Sequence, residues 1–221
     1  MTSGLFVPFI VAAAACTGAA QAAIVHTSRA SFDAATTASA TDAFDGFDVD
    51  GKTSSPTART VGGYSYTATA TSGFYGAGSG DDPALTVWHD VETIILTDFD
   101  DSVGAVGGSF YGTRANGQYR LGDLLVTLVD GDGTTSVTLV GASEDGFVGF
   151  TSRSGIVSLS IAAVASDVAV FPTVDDLVIA QAAGIVSAVP EPTSWVMLLI
   201  GFGMIATTTR YRRRAARTVY G

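Results

Sequence analysis

Carboxylates are the side chains in this sequence that come nearest to a chemical constellation. The run "DAFDGFDVDG" sets Asp42, Asp45, Asp48 and Asp50 within one short stretch around a glycine turn. Oxygen donors at that density suit a hard cation such as calcium, although the run has neither the EF-hand loop nor its closing glutamate. Further on, Asp81-Asp82, Asp100-Asp101, Glu144-Asp145 and Asp175-Asp176 form adjacent acidic pairs. Glycoside hydrolysis needs two carboxyl groups at a fixed separation, one to donate a proton and one to act as base or nucleophile. Most of these pairs sit in turn settings beside Gly or Pro, where aspartate bonds its own backbone.

Other chemistries are poorly supplied. Cys16 is the single cysteine, so the body has no disulfide framework, thiol nucleophile or cysteine metal site. Two histidines, His26 and His89, are too few for a histidine-built zinc centre. No G-x-S-x-G elbow is present, and no nucleophile–base–orienter set can be assembled. Aromatic residues offer more. Phe74-Tyr75, Trp88, Tyr111 and Tyr119 lie in or beside glycine-rich turns, where an exposed ring can stack on a sugar while Asn116, Gln118 or a carboxylate takes the hydroxyls. The same rings would serve equally well inside a core.

These residues must be positioned by strands. One short helix is expected near the start of the body, capped by Ser31 with Phe32 and Ala35 facing inward. After it come short β-branched and aromatic runs: "VGGYSYTATAT", "ALTVW", "VETIILT", "SVGAVGGSFYGT", "DLLVTLV", "TTSVTLVGA", "GFVGFTS", "GIVSLSIAAV" and "DDLVIAQ". Several alternate apolar with small or polar residues, as in Val157-Ser158-Leu159-Ser160-Ile161. Asp130-Gly131-Asp132-Gly133 between two runs is a hairpin signal. The spacing predicts eight to ten strands in an all-β, antiparallel β-sandwich of jelly-roll type, with an open barrel as the alternative.

The formal charge of −10 hides a division. Residues 24–189 hold 20 acidic and 6 basic side chains, whereas Arg210, Arg212, Arg213, Arg214 and Arg217 crowd the last dozen positions. A body this acidic repels a phosphate backbone, which argues against nucleic acid as a partner.

The two ends are addresses. "LFVPFIVAAAACTGAAQAA" has a short apolar core and then small residues ending Ala20-Gln21-Ala22, the layout of a signal peptide over 1–22 with signal peptidase cutting after Ala22. Two features depart from the usual pattern: no Lys or Arg precedes the apolar run, and "AAAC" admits a rival lipoprotein reading on Cys16, with Ala13 where leucine is usual. At the other end, residues 193–209 carry no charge and are stoppered by arginines. A helix of that length reaches roughly 25 Å, close to a hydrocarbon core of about 30 Å. The positive-inside rule leaves Arg212 to Arg217 in the cytoplasm and the acidic body, 23–189, outside.

Pro190-Glu191-Pro192, Trp195, Gly201-Phe202-Gly203 and Arg212-Arg213-Arg214 occur in the order of a known signal. Over 190–217 the chain resembles the PEP-CTERM sorting domain in its PEPxxWA form, with Val196 in place of the usual alanine and Ala206 where glycine is common. The resemblance implies an exosortase substrate of Gram-negative bacteria: a precursor held in the inner membrane, cut near the tripeptide, and left at the cell surface or outside, in association with exopolysaccharide and biofilm material. The body, through "FDGFD", "GFVGFTSRSGIVSLSI" and "FPTVDDLVIA", resembles ectodomains that precede such signals and are similar to carbohydrate-binding modules and lectins. By that analogy Asp45 or Asp48 would meet Asp175 or Asp176 around one structural calcium, and Trp88, Tyr111 and Tyr119 would contact glycan. The function expected is a non-catalytic structural or glycan-associated matrix component. A polysaccharide hydrolase, or an adhesin working through protein contacts, are the alternatives.

Overall fold

A computed structural model of the chain describes residues 22–49, 51–79 and 82–184. The expected signal cleavage residue Ala20, the motif residues Pro190, Glu191, Pro192, Trp195, Gly201, Gly203 and Arg212 to Arg214, and the apolar span 193–209 lie outside them. The chain divides into two compact units, Met1–Ala183 and Gly184–Gly221. Among the described residues no helix is long and apolar enough to cross a membrane.

Thirteen strands and one helix make up the body: β1 (Ile24–His26), α1 (Arg29–Ala34), β2 (Thr36–Asp42), β3 (Thr57–Val61), β4 (Tyr64–Thr69), β5 (Phe74–Ser79), β6 (Asp82–Val87), β7 (Thr93–Thr97), β8 (Ala105–Thr113), β9 (Leu124–Asp130), β10 (Gly133–Leu139), β11 (Phe147–Thr151), β12 (Ile156–Ala163) and β13 (Phe171–Ala182). All pairings are antiparallel. One sheet runs β1-β11-β8-β13-β6-β5, with β2 also on β13; the other runs β10-β9-β12-β7-β4-β3. Within them, β6-β13-β8-β11 faces β7-β12-β9-β10. That is the strand order of an eight-stranded jelly roll.

The sandwich forms because strands such as β9 and β12 have one apolar face, while the longest, β8 and β13, are buried on both. Leu124, Val126 and Leu128 of β9 point inward beside Leu159 and Ile161 of β12, while the intervening Leu125, Thr127 and Val129 point out. Phe44, Phe74, Phe110 and Phe150 join them from the other side, all fully buried. Each such side chain contributes about 1.5 to 3 kcal/mol.

The outer face of the seven-stranded sheet is covered in two places. At one end α1 lays Phe32 on Ala105, Val178 and Ala180. Gly149 permits this: a Cβ there would meet the Phe32 ring at 2.4 Å. The helix is capped by Ser28, whose Oγ accepts from the Ser31 N–H at 3.3 Å. Ser31, expected as the cap, lies inside the first turn and donates its hydroxyl to Ser28 O at 2.9 Å. At the other end the loop after β8 folds back over β5 and β6. Ile24, Thr151, Ala105 and Ala180 are successive partners, and Ala182 pairs with Thr36. Both ends of the described chain therefore leave at one end of the sandwich. The turns 88–92, 114–123 and 164–170 lie at the opposite end.

Candidate functional site

The cleft is built at that opposite end, beside the edge of β5. Residues 48–49 and 51–53 lie beside this edge: Gly76 donates to Asp48 O at 2.9 Å, and Thr53 exchanges bonds with Phe74 at 2.7 and 2.9 Å. This brings Val49, Gly51 and Lys52 alongside Tyr75 and Trp88. The far wall is the turn 114–118, closed by Gly117 N–H to Arg114 O and Arg114 N–H to Gln118 O, each 2.9 Å. Gly117 has φ +74°, and its carbonyl takes the Gly78 N–H at 3.0 Å, docking the turn on β5. A side chain at Gly117 would be strained and would press on Ala77 Cα at 3.1 Å.

Val49, Gly51, Tyr75, Trp88, Ala115 and Asn116 line the resulting cleft of about 440 Å³. Trp88 is 39% exposed. Its ring meets Tyr75 edge-on, centroids 5.9 Å apart at 89°, and the Lys52 ammonium stands 5.3 Å from the indole centroid. Tyr75 donates its hydroxyl to Arg114 O at 3.1 Å, and burial pushes its pKa above the ordinary value. The Asn116 side-chain oxygen accepts from Gln118 N–H at 3.3 Å, which leaves the amide nitrogen to donate. An apolar ring face, a fixed amide donor and an ammonium can hold a polyhydroxylated ring between them.

The other aromatics serve the fold. Tyr111 is 5% exposed and packs on Tyr119, centroids 6.2 Å apart, over Ala77 and Ala84. Tyr119 donates its hydroxyl to Ala142 O at 3.0 Å. Beneath them Thr86, Thr113 and Thr173 form a buried hydroxyl cluster at 2.9 to 3.4 Å.

The acidic runs take two forms. In the first, Asp42, 4% exposed, accepts from Tyr66 Oη at 2.8 Å, from Phe44 N–H at 2.9 Å and from Arg59 through Nε at 2.9 Å and Nη2. Arg59 also reaches Asp45 O at 3.4 Å and lies 5.8 and 5.1 Å from the Phe44 and Phe47 ring centres. The cation held by this run is a guanidinium. Burial opposes the Asp42 charge, but bonds from Arg59, Tyr66 and Phe44 win and hold its pKa below the ordinary value. Arg59 is a residue that no sequence motif singled out, because β3, built of small and hydroxyl-bearing residues around it, carries no clear strand signal.

In the second, Asp175 and Asp176 occupy a bulge in β13, with Asp176 at φ +47°. The half-buried Asp175 is raised in pKa by desolvation first and then by the charges of Asp176, Asp82 and Glu144. Among the described residues no three His, Cys, Asp or Glu side chains group so as to hold a metal ion. His26 bonds Thr151 Oγ1 at 3.1 Å and packs edge-on to Phe32, so it closes a sheet edge.

No curated protein matches the chain. Among solved structures it is similar to the N-terminal CBM22-1-CBM22-2 tandem domain of Xyn10C from Paenibacillus barcinonensis, at 17% identity and TM-score 0.33 over 69% of this chain; the match takes in about half, 47%, of that protein's length. It is also similar to the CBM22-1 xylan-binding domain of the same protein, at 18% identity and TM-score 0.30, over 62% of this chain and 94% of that one. At the C-terminus residues 188–214 match the PEP-CTERM protein-sorting motif, and the chain carries that motif where the tripeptide, the tryptophan and the arginines had pointed.

Proposed function

We propose that the chain is an exported precursor, sorted by an exosortase through residues 188–214, whose jelly-roll body is a non-catalytic glycan-binding module working through the Trp88 cleft. The observation that carries the binding reading is the partly exposed Trp88 indole, set in a cleft between Tyr75 and Asn116. The indole would stack on the C–H face of one sugar unit while Asn116 Nδ2 and Lys52 donate to its hydroxyls. The motif at 188–214 supports the export reading. A net-acidic body suits association with neutral matrix polysaccharide better than with a polyanion.

Binding is tested by electrophoresis of the protein through gels holding single soluble polysaccharides, run with calcium and with chelator. Retardation by at least one neutral glycan, lost in Trp88→Ala, supports the reading; no retardation across the panel, or retardation untouched by Trp88→Ala, overturns it. Sorting is tested by intact mass of the protein recovered outside the cells, in strains with and without an exosortase. A species ending near Pro190 only when the enzyme is present supports that part, and an unchanged arginine tail in both strains sinks it.

Asp175 favours a second reading, hydrolysis, because a half-buried carboxyl of raised pKa beside other carboxylates has the character of a general acid. Cleavage of a bound polysaccharide that disappears in Asp175→Asn would establish it over the first.

A further inference from the structure

Sheet edges expose rows of unpaired N–H and C=O groups that accept another strand, and proteins usually guard them with short strands, bulges, covering segments or inward-pointing charges. Here β1 has three residues. β5 is covered by Asp48 and Thr53, which bond Gly76 and Phe74. β2 is broken by Ala38 at φ +48° and a register shift, and the Tyr64 hydroxyl takes the Ala38 carbonyl. β3 carries Arg59, which points inward to Asp42.

β10 has none of these. Its seven residues, "GTTSVTL", pair among the described residues only with β9 and include no charge, proline or bulge. Thr134, Ser136 and Thr138 face outward, in line with Val129, Thr127 and Leu125 of β9. Val140, just past its end, is 81% exposed. The whole outer face of this sheet is uncharged: Thr127, Ser158, Ser160, Thr93, Ile95, Thr97, with the hydroxyls and small side chains of β3 and β4 beyond.

We propose that β10 pairs antiparallel with β10 of a second copy of this chain, joining two six-stranded sheets across a twofold axis at Ser136. The charges select both partner and direction. Asp130 and Asp132 sit at the turn before β10, while Val140 and Gly141 follow it. Antiparallel pairing sets each acidic turn beside the uncharged end of the other strand and holds the two turns about 20 Å apart, well beyond a Debye length of ~8 Å in physiological salt. Parallel pairing would place the acidic turns side by side. The register then matches Ser136 with Ser136, Thr134 with Thr138 and Thr135 with Val137, a row of β-branched and hydroxyl pairs. Because β3, the other edge of the sheet, is guarded by the inward Arg59, the assembly closes as a dimer and does not run on as a filament.

The test uses the full chain purified in detergent, with Cys16→Ser so that added cysteines are the only ones. Facing residues on such an axis have Cα atoms ~4.5 to 5.5 Å apart, within disulfide range. Ser136→Cys should give a linked dimer under mild oxidation at least about tenfold faster than Thr60→Cys, on the same outer face but on β3. Ser136→Lys, which puts two ammonium groups on the axis, should weaken dimerisation about tenfold in sedimentation. The double variant Thr134→Glu with Thr138→Lys should restore or exceed the wild-type dimer, since each glutamate then faces a lysine only in the antiparallel register. All four positions are solvent-facing, and circular dichroism checks that the fold is kept. Equal linking rates for Ser136→Cys and Thr60→Cys, or no response to either charge change, overturn the proposal.

Discussion

Of the three places among the described residues where a cation stands over an aromatic ring, two use the arrangement for opposite ends. In one, the Arg59 guanidinium lies 5.1 and 5.8 Å from the Phe47 and Phe44 rings and is neutralised by Asp42. In the other, the Lys52 ammonium lies 5.3 Å from the Trp88 ring with no ion pair among the described residues. The first is shielded: Asp42 is buried and Arg59 partly so, its hydrogen bonds are spent on protein groups, and Tyr66 closes it off. The second opens on a cleft and leaves one ring partly bare. A guanidinium with five fixed donors suits the closed case and a mobile ammonium the open one. Burial and the presence of a carboxylate separate a knot that fixes the fold from a surface that can take a ligand.

The sharpest way to break this contrast is Asp42→Asn. It leaves the partly buried Arg59 without its counter-charge and weakens the bond from Tyr66, so it should cost about 3 kcal/mol and lower the melting temperature by roughly 8 °C. Glycan retardation per folded molecule should be unchanged. A loss of stability under 1 kcal/mol would mean that the knot is not what holds β2 to β3. Trp88→Ala should do the reverse: a stability change within about 1 kcal/mol, since the ring is partly solvated, and a loss of about 2 kcal/mol of binding, roughly 30-fold.

Between these lies Gly117→Val, which strikes the support of the cleft. The residue must adopt φ +74° and would press on β5, a cost of order 1 to 3 kcal/mol. Relief of that strain by lifting the 114–118 turn carries Asn116 away from Trp88, so binding should fall with the indole still present. Tryptophan fluorescence with chemical denaturation separates the two effects. Unchanged binding would show that Asn116 makes no contact with the ligand.

How far the sequence foretold this depends on which signal carried each part. The nine apolar runs became β4 and β6 to β13, and the jelly-roll order rests on eight of them. Four strands were illegible for physical reasons. β2 and β3 are built of Ala and Thr with few large apolar residues, β1 is only three residues long, and β5 is "FYGAGS", whose glycines read as a turn although they sit beneath the 48–53 and 114–118 segments. Trp88 was legible as an exposed ring because it follows a strand and precedes a turn. Its partners Lys52, Val49 and Asn116 come from segments far apart in the chain, and only edge pairing with β5 unites them. The Asp42–Arg59 pair was illegible in the "DAFDGFDVDG" run, because Arg59, seventeen residues after Asp42, reaches it across the β2–β3 connection.

Asp175 gives the smallest effect and the finest test of what a counter-charge does. Asp42 and Asp175 are both shielded acids, but one has a cation and the other has acidic neighbours. Asp42 titrates lower in the folded protein than in the unfolded chain, so its contribution to stability is present above the ordinary carboxylate pKa and is lost as pH falls through the folded value. Asp175 titrates higher when folded. The folded state then holds more protons, and stability is lost as pH rises from the ordinary value through the raised one. Asp175→Asn should therefore match wild type near pH 3 and become slightly the more stable by pH 7, whereas the penalty of Asp42→Asn should shrink on acidification. Melting curves of both variants across that range decide the matter. Parallel slopes would mean that neither burial nor the Asp176, Asp82 and Glu144 charges raise Asp175, and the acidic face would then be a set of independent solvated groups.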